Sequence, residues 1–185
     1  MSIVENKAPE FTLKNTQKED VSLSNFKGKP VVLAFYPGAF TGVCDTEMCK
    51  LKEDMEVFNE FNATVLGISV DSPWANNAFS EKYNLNFDLL SDLDRSVTKA
   101  YDLLFEGLGG IEGYTCSNRG IVIIDSEGII QYRWVAEPNP GVEPNYDEIK
   151  NFIKALKTMK VESINLLAFH FFFDLFFQKC SNCYR

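Results

Sequence analysis

At 185 residues, 45% of them hydrophobic and 24% charged, the chain has a globular composition, with room for one well-buried domain and not for two ordinary ones. Its net charge of −8, without a basic run, speaks against a nucleic-acid binder, which carries a positive face.

Met1 to Leu13 contains Glu5, Lys7 and Glu10 and no continuous apolar stretch. It lacks the central region of a secretory signal, so the expected location is the cytoplasm. Phe11 to Leu23 reads as two short strands around the polar turn from Asn15 to Asp20, with Phe11, Leu13, Val21 and Leu23 alternating. Gly28-Lys29-Pro30 then breaks the chain. Val31 to Tyr36 follows as a β-branched and aromatic run, the pattern of a central strand buried on both faces.

From Cys44 the period changes. At 100° per residue, Met48, Leu51, Met55 and Phe58 fall within about 40° of Cys44, an apolar stripe along one helix, whereas Cys49 lies roughly 140° away. Thr64 to Val70 is the next strand, and Pro73 opens a helix through Tyr83 with Asp71 or Ser72 as its cap. Strand, helix, strand, helix implies a parallel βαβ unit.

A shorter helix is predicted over Asp94 to Tyr101, followed by a flexible glycine-rich loop, Gly107-Leu108-Gly109-Gly110. That loop does not follow a strand or open a helix with phosphate-site spacing. Gly120 to Asp125 and Ile129 to Ala136 flank Ser126-Glu127-Gly128 as a hairpin, with Gly128 supplying the positive φ of a short connection. Ile149, Phe152, Ile153 and Leu156 set a final helix over Tyr146 to Met159. The predicted fold is α/β: a thioredoxin-like central mixed sheet flanked by helices, with an N-terminal hairpin.

The domain is expected to span residues 1–160. Residues 161–185 form an apolar C-terminal extension, in which Ile164 to Phe177 holds six of the 16 phenylalanines. At 14 residues this run is short of the roughly 18 that span a bilayer. Docking on another subunit, as in a homodimer or higher homo-oligomer, docking on a membrane surface, and no selected role at all are open for it.

Five cysteines in a chain without a secretory signal point to free, catalytic or redox-active thiols, and the odd number leaves at least one unpaired. A closed zinc site needs four ligands. The sequence offers Cys180/Cys183 near the end and His170 as its one histidine, so neither metal nor other cofactor is expected. The informative thiol is Cys44, at a predicted helix start, where unpaired N–H groups and the positive dipole end stabilise negative charge.

Pro37-x-x-x-Thr41-x-x-Cys44 after a buried strand resembles the active-site motif of the peroxiredoxins, thiol peroxidases on a thioredoxin-like fold. The resemblance runs from about Lys7 to Lys157. It implies that Cys44 is the peroxidatic cysteine, that Thr41 donates its hydroxyl to the sulfur or the attacked oxygen, and that Pro37 shields the sulfur from water. Arg119, in Asn118-Arg119-Gly120, resembles the family's arginine at the start of a late core strand, and Glu47 matches the position that holds it. The implied partners are a peroxide substrate and a thioredoxin-like or other thiol reductant.

The resolving thiol stays open. Cys44-x-x-x-x-Cys49 is the spacing of the bacterioferritin-comigratory-protein branch, where both thiols share a helix. Cα atoms five apart in a helix are roughly 8–9 Å from each other, beyond the ~7 Å reach of a disulfide, so the first turns must unwind. Residues 39–43 also resemble the one-cysteine alkyl-hydroperoxide-reductase-E branch, which an external thiol resolves. Cys116, Cys180 and Cys183 are further candidates. A disulfide oxidoreductase on the same fold would need a Cys-x-x-Cys at the helix start, and none is there. A non-catalytic interaction module would not need Thr41, Cys44 and Arg119 together.

Overall fold

The computed structural model describes residues 3–156, and the run Val31–Phe35 lies at its centre as β3, all five residues buried. β3 pairs in parallel with β4 (Thr64–Ser69) and antiparallel with β8 (Gly120–Ile124), another fully buried strand. β4 continues in parallel to β5 (Asp88–Ser91), and β8 pairs with β9 (Ile130–Val135) in the predicted hairpin, where Gly128 has φ +85°. At the far edge, β1 (Thr12–Lys14) and β2 (Asp20–Ser22) form the N-terminal hairpin, which joins the sheet through Lys14 opposite Ser91. The order β2-β1-β5-β4-β3-β8-β9 makes a mixed seven-stranded sheet.

Two faces follow from the period of two along β3. Val31, Leu33 and Phe35 join Leu66, Ile68, Val122 and Tyr101 in one core. Val32, Ala34 and Tyr36 join Cys44, Met48, Leu51, Phe79 and Ile149 in the other. The second face is covered by α1 (Gly42–Glu53), α2 (Met55–Glu60), α3 (Pro73–Tyr83) and α5 (146–156), while the short α4 (Ser96–Ala100) contributes Val97 to the first. α1 approaches the sheet closely over Gly67. A Cβ there would meet Met48 Sδ at an ordinary 3.6 Å but lie 2.5 Å from Leu89 Cδ2 on β5, so a side chain at this position would force the Leu89 side chain to shift.

The fold contains strands that the sequence did not announce. β5 has only Leu89 and Leu90 as an apolar signal, and β6 (Leu104–Glu106) with β7 (Thr115–Ser117) forms a separate two-stranded ribbon. The glycine-rich segment predicted as flexible loop carries a short 3₁₀ turn, Leu108–Gly110, between those two strands. The single helix expected through Phe58 breaks at Asp54 (φ −87°, ψ 0°), whose carboxylate is drawn 3.0 Å from Lys150 Nζ on α5. The apolar stripe survives the break, because Cys44, Met48, Leu51, Met55 and Phe58 all stay in one core.

Among the described residues no helix is long and apolar enough to cross a membrane. Residues 157–159, predicted to end the final helix, and the extension 161–185, with His170, Cys180 and Cys183, lie outside the described residues.

Candidate active site

β3 delivers the chain to Tyr36, and the turn that follows leads through Pro37, Gly38, Ala39 and Phe40 into α1. Pro37 and Gly38 are buried; Phe40 is exposed and has φ +63°, unusual for a bulky side chain. Thr41 takes the N-cap position with extended dihedrals, yet its side chain makes no capping bond. Its Oγ1 lies 2.9 Å from the Gly38 carbonyl and 2.8 Å from Cys44 Sγ. The hydroxyl has one proton, so it serves one acceptor at a time; a thiolate turns that proton to the sulfur. Cys44 sits in the first turn of α1, fully buried, its backbone N–H donating to the Thr41 carbonyl at 2.7 Å.

The second donor to Cys44 comes from the opposite side. Arg119, one residue before β8, is 1% exposed and has every edge of its guanidinium engaged. Nη2 donates to Cys44 Sγ at 3.2 Å, Nε donates to the Pro140 carbonyl at 2.9 Å, and Nη1 is in a short charged contact with Glu47 Oε2. Glu47 lies one turn beyond Cys44 on α1 and is also fully buried. Burial pushes its carboxyl up to about 7 while the Arg119 guanidinium pulls it down, and its Oε1 has no hydrogen-bond partner. The fixed fork of an arginine thus spans carboxylate and sulfur together, a geometry that a lysine does not reproduce.

The remaining described thiols differ. Cys49 is half-buried on the same unbroken helix as Cys44, and Cys116 is buried in β7. Desolvation pushes the Cys116 thiol up to about 11, and the neighbouring Cys44 and Asp71 charges add to the rise. All three cysteines are unbridged. Tyr83 at the end of α3 ties α1 at both ends: its hydroxyl donates to Oδ2 of Asp45 in the first turn at 2.6 Å, and its carbonyl accepts from Nζ of Lys52 in the last turn at 2.9 Å.

Beneath the turn runs a buried polar chain that sequence reasoning missed. Tyr36 Oη donates to Asn76 Oδ1 at 2.8 Å, and Asn76 Nδ2 donates to Ser91 Oγ at 3.1 Å. Ser69 Oγ lies 3.2 Å from Asn76 Oδ1 and 3.1 Å from Asp71 Oδ2. Of the two caps proposed for α3, Ser72 is the one used, accepting from Ala75 N at 3.3 Å, while Asp71 Oδ2 accepts from Ala39 N at 2.7 Å. The available signal was a serine ending each of two apolar strands, Ser69 and Ser91, and Asn76 at a helical spacing from the buried Pro73 and Phe79.

The AhpC/TSA family matches residues 4–133 of the chain. The chloroplastic peroxiredoxin Q of Sedum lineare is 37% identical over 149 residues, 80% of this chain and 76% of that protein. Peroxiredoxin Bcp of Bacillus subtilis is 38% identical over 130 residues, 69% of this chain and 82% of that protein. Among solved structures, the reduced 2-Cys peroxiredoxin of Plasmodium vivax is similar with a TM-score of 0.76 at 32% identity, over 86% of this chain and 84% of that chain.

Proposed function

Because the chain belongs to the AhpC/TSA family, as a peroxiredoxin and hence a thiol peroxidase, we propose that Cys44 is the thiol that attacks the peroxide and Cys49 the thiol that resolves it. One observation carries the reading: Cys44 Sγ is the shared target of Thr41 Oγ1 and Arg119 Nη2, two donors fixed by separate parts of the fold.

The Cys44 thiolate attacks the terminal peroxide oxygen. The S–O bond forms as the O–O bond breaks, the leaving oxygen takes up a proton as water or alcohol, and Cys44 is left as a sulfenic acid. Negative charge moves from sulfur to the leaving oxygen, and Arg119, held by Glu47 and Pro140, stabilises it without reorganising. Thr41 orients the incoming oxygen. Pro37, which has no N–H, lines the approach without competing for the sulfur as a donor.

The Cys49 thiolate then displaces hydroxide from the Cys44 sulfenic acid, releasing water and forming a disulfide that an external dithiol reduces. A thioredoxin-like reductant and a cytoplasmic location fit a cycle that needs a continuous thiol supply. Cys116 is disfavoured as the resolving thiol because burial keeps it protonated at neutral pH. Since α1 is intact across both cysteines, closure requires its first turns to unwind, as helix ends can do.

After one equivalent of peroxide, intact mass is expected to fall by two hydrogens, and peptide mapping to link Cys44 with Cys49. A persistent gain of one oxygen, or a link to Cys116, Cys180 or Cys183, reassigns resolution. Tyr83→Phe removes a tie between α3 and α1. It should speed disulfide closure several-fold and reduce sulfinic acid at excess peroxide, with the first peroxide step unchanged. Closure at the parent rate, measured by quenched-flow mass spectrometry, would show that this tie does not limit unwinding.

A further inference from the structure

A carboxylate next to a site that must hold a thiolate is electrostatically unfavourable, yet Asp71 stands there, half-buried, its charge opposing that of Cys116 and Tyr36. Its contacts give it a task. Oδ2 accepts from the backbone N–H of Ala39 at 2.7 Å and lies 3.1 Å from Ser69 Oγ, while Ser69 Oγ accepts from Asp71 N at 3.2 Å. Ser69 is fully buried at the end of β4 and Asn76 fully buried on α3, so the carboxylate is held by rigid elements.

What it holds is the turn carrying Thr41. Ala39 is followed by Phe40 at φ +63°, a conformation that persists in a bulky residue only when its surroundings fix it. On one side of Phe40 stands the Asp71 to Ala39 bond; on the other, Thr41 Oγ1 is within reach of the Gly38 carbonyl and of Cys44 Sγ. Phe40 itself packs edge-on against Phe79 of α3 at 5.3 Å. Releasing Ala39 lets the turn relax and moves the Thr41 hydroxyl away from the sulfur.

We propose that Asp71 is a positioning residue of the peroxidase reaction, clamping the turn 38–41 to β4 and α3 so that Thr41 Oγ1 meets peroxide bound at Cys44. The inference rests on the reading of Thr41 as a donor. It concerns the acceptor oxygen and not the charge, since a backbone N–H needs only an acceptor.

The test compares single-turnover oxidation of Cys44 by hydrogen peroxide with its alkylation by iodoacetamide, a reaction that offers no peroxide oxygen for Thr41 to orient. Asp71→Ala should slow the peroxide step about tenfold or more, because small displacements of an orienting group are costly. Alkylation, which feels only the loss of the Thr41 bond to the sulfur, should change far less than the peroxide step. Asp71→Asn, which keeps the acceptor, should restore most of the peroxide rate. Parent rates in Asp71→Ala, equal slowing of both reactions, or an Asp71→Asn variant as slow as Asp71→Ala each overturn the clamp. If Asp71→Ala does not fold, Ser69→Ala decides: selective loss of the peroxide rate supports the clamp, and parent rates for both reactions overturn it. Thr41→Val separates the premise from the inference, since an unaltered peroxide rate there removes the donor role itself.

Discussion

Replacing Cys44 by serine is expected to abolish peroxide turnover while leaving the domain folded. The side chain is fully buried against Met48 and the second core, and oxygen for sulfur nearly preserves its volume. The new hydroxyl can still pair with Thr41 Oγ1 and face Arg119 Nη2, so no buried donor is orphaned. What disappears is the proposed nucleophile: unlike a thiol, a serine hydroxyl without a base beside it is not ionised at neutral pH. Consumption of hydrogen peroxide by the reduced variant, followed with a thiol reductant in excess, should fall to the uncatalysed background, with a melting curve close to the parent's. Turnover retained in Cys44→Ser would move the chemistry to another residue.

How far the sequence discloses this molecule depends on the range of the interaction that makes each part. β3, α3 and the β8-β9 hairpin were legible because each has a local signature: a buried β-branched run, a Ser-Pro helix start, a Ser-Glu-Gly connection. β5 was not, since Leu89 and Leu90 become a strand only by pairing with β4 and β1. Asp54, where the helix breaks, pairs with Lys150, 96 residues away, a contact no local pattern announces. The pairing of Arg119 with Glu47, 72 residues apart, was available only through resemblance to a family, whereas Cys44 and Thr41 were also marked by their place before a predicted helix. Asp71 looked like a cap because local rules assign an aspartate near a helix start to that helix, and no local rule looks across 32 residues to Ala39.

Arg119→Ala should have two effects that can be separated. Loss of one preorganised charged donor should slow the first peroxide step by roughly 10²–10³-fold. It also leaves Glu47 fully buried, with Oε1 already unpartnered and Oε2 deprived of its guanidinium, and orphaning one member of a buried ion pair costs about 3–5 kcal/mol if the other stays charged. The carboxyl escapes that cost by taking a proton, which fixes the sign of the pH dependence. Burial raises Glu47 in the folded parent from 4.5 to about 7, so the associated stability is fully present below 4.5 and is lost as pH rises to about 7. Without Arg119 the opposing pull is gone and the folded carboxyl titrates at still higher pH, so the variant keeps losing stability where the parent has levelled off. The gap in melting temperature between parent and Arg119→Ala, which includes a pH-independent part from the lost buried side chain, should therefore be smallest near pH 6 and below and widen above about pH 7. Adding Glu47→Gln removes the buried charge and should narrow the gap at high pH without restoring the peroxide rate. A rate recovered along with stability would make Arg119 a support of the fold alone, whereas stability recovered without rate assigns its guanidinium to the departing oxygen.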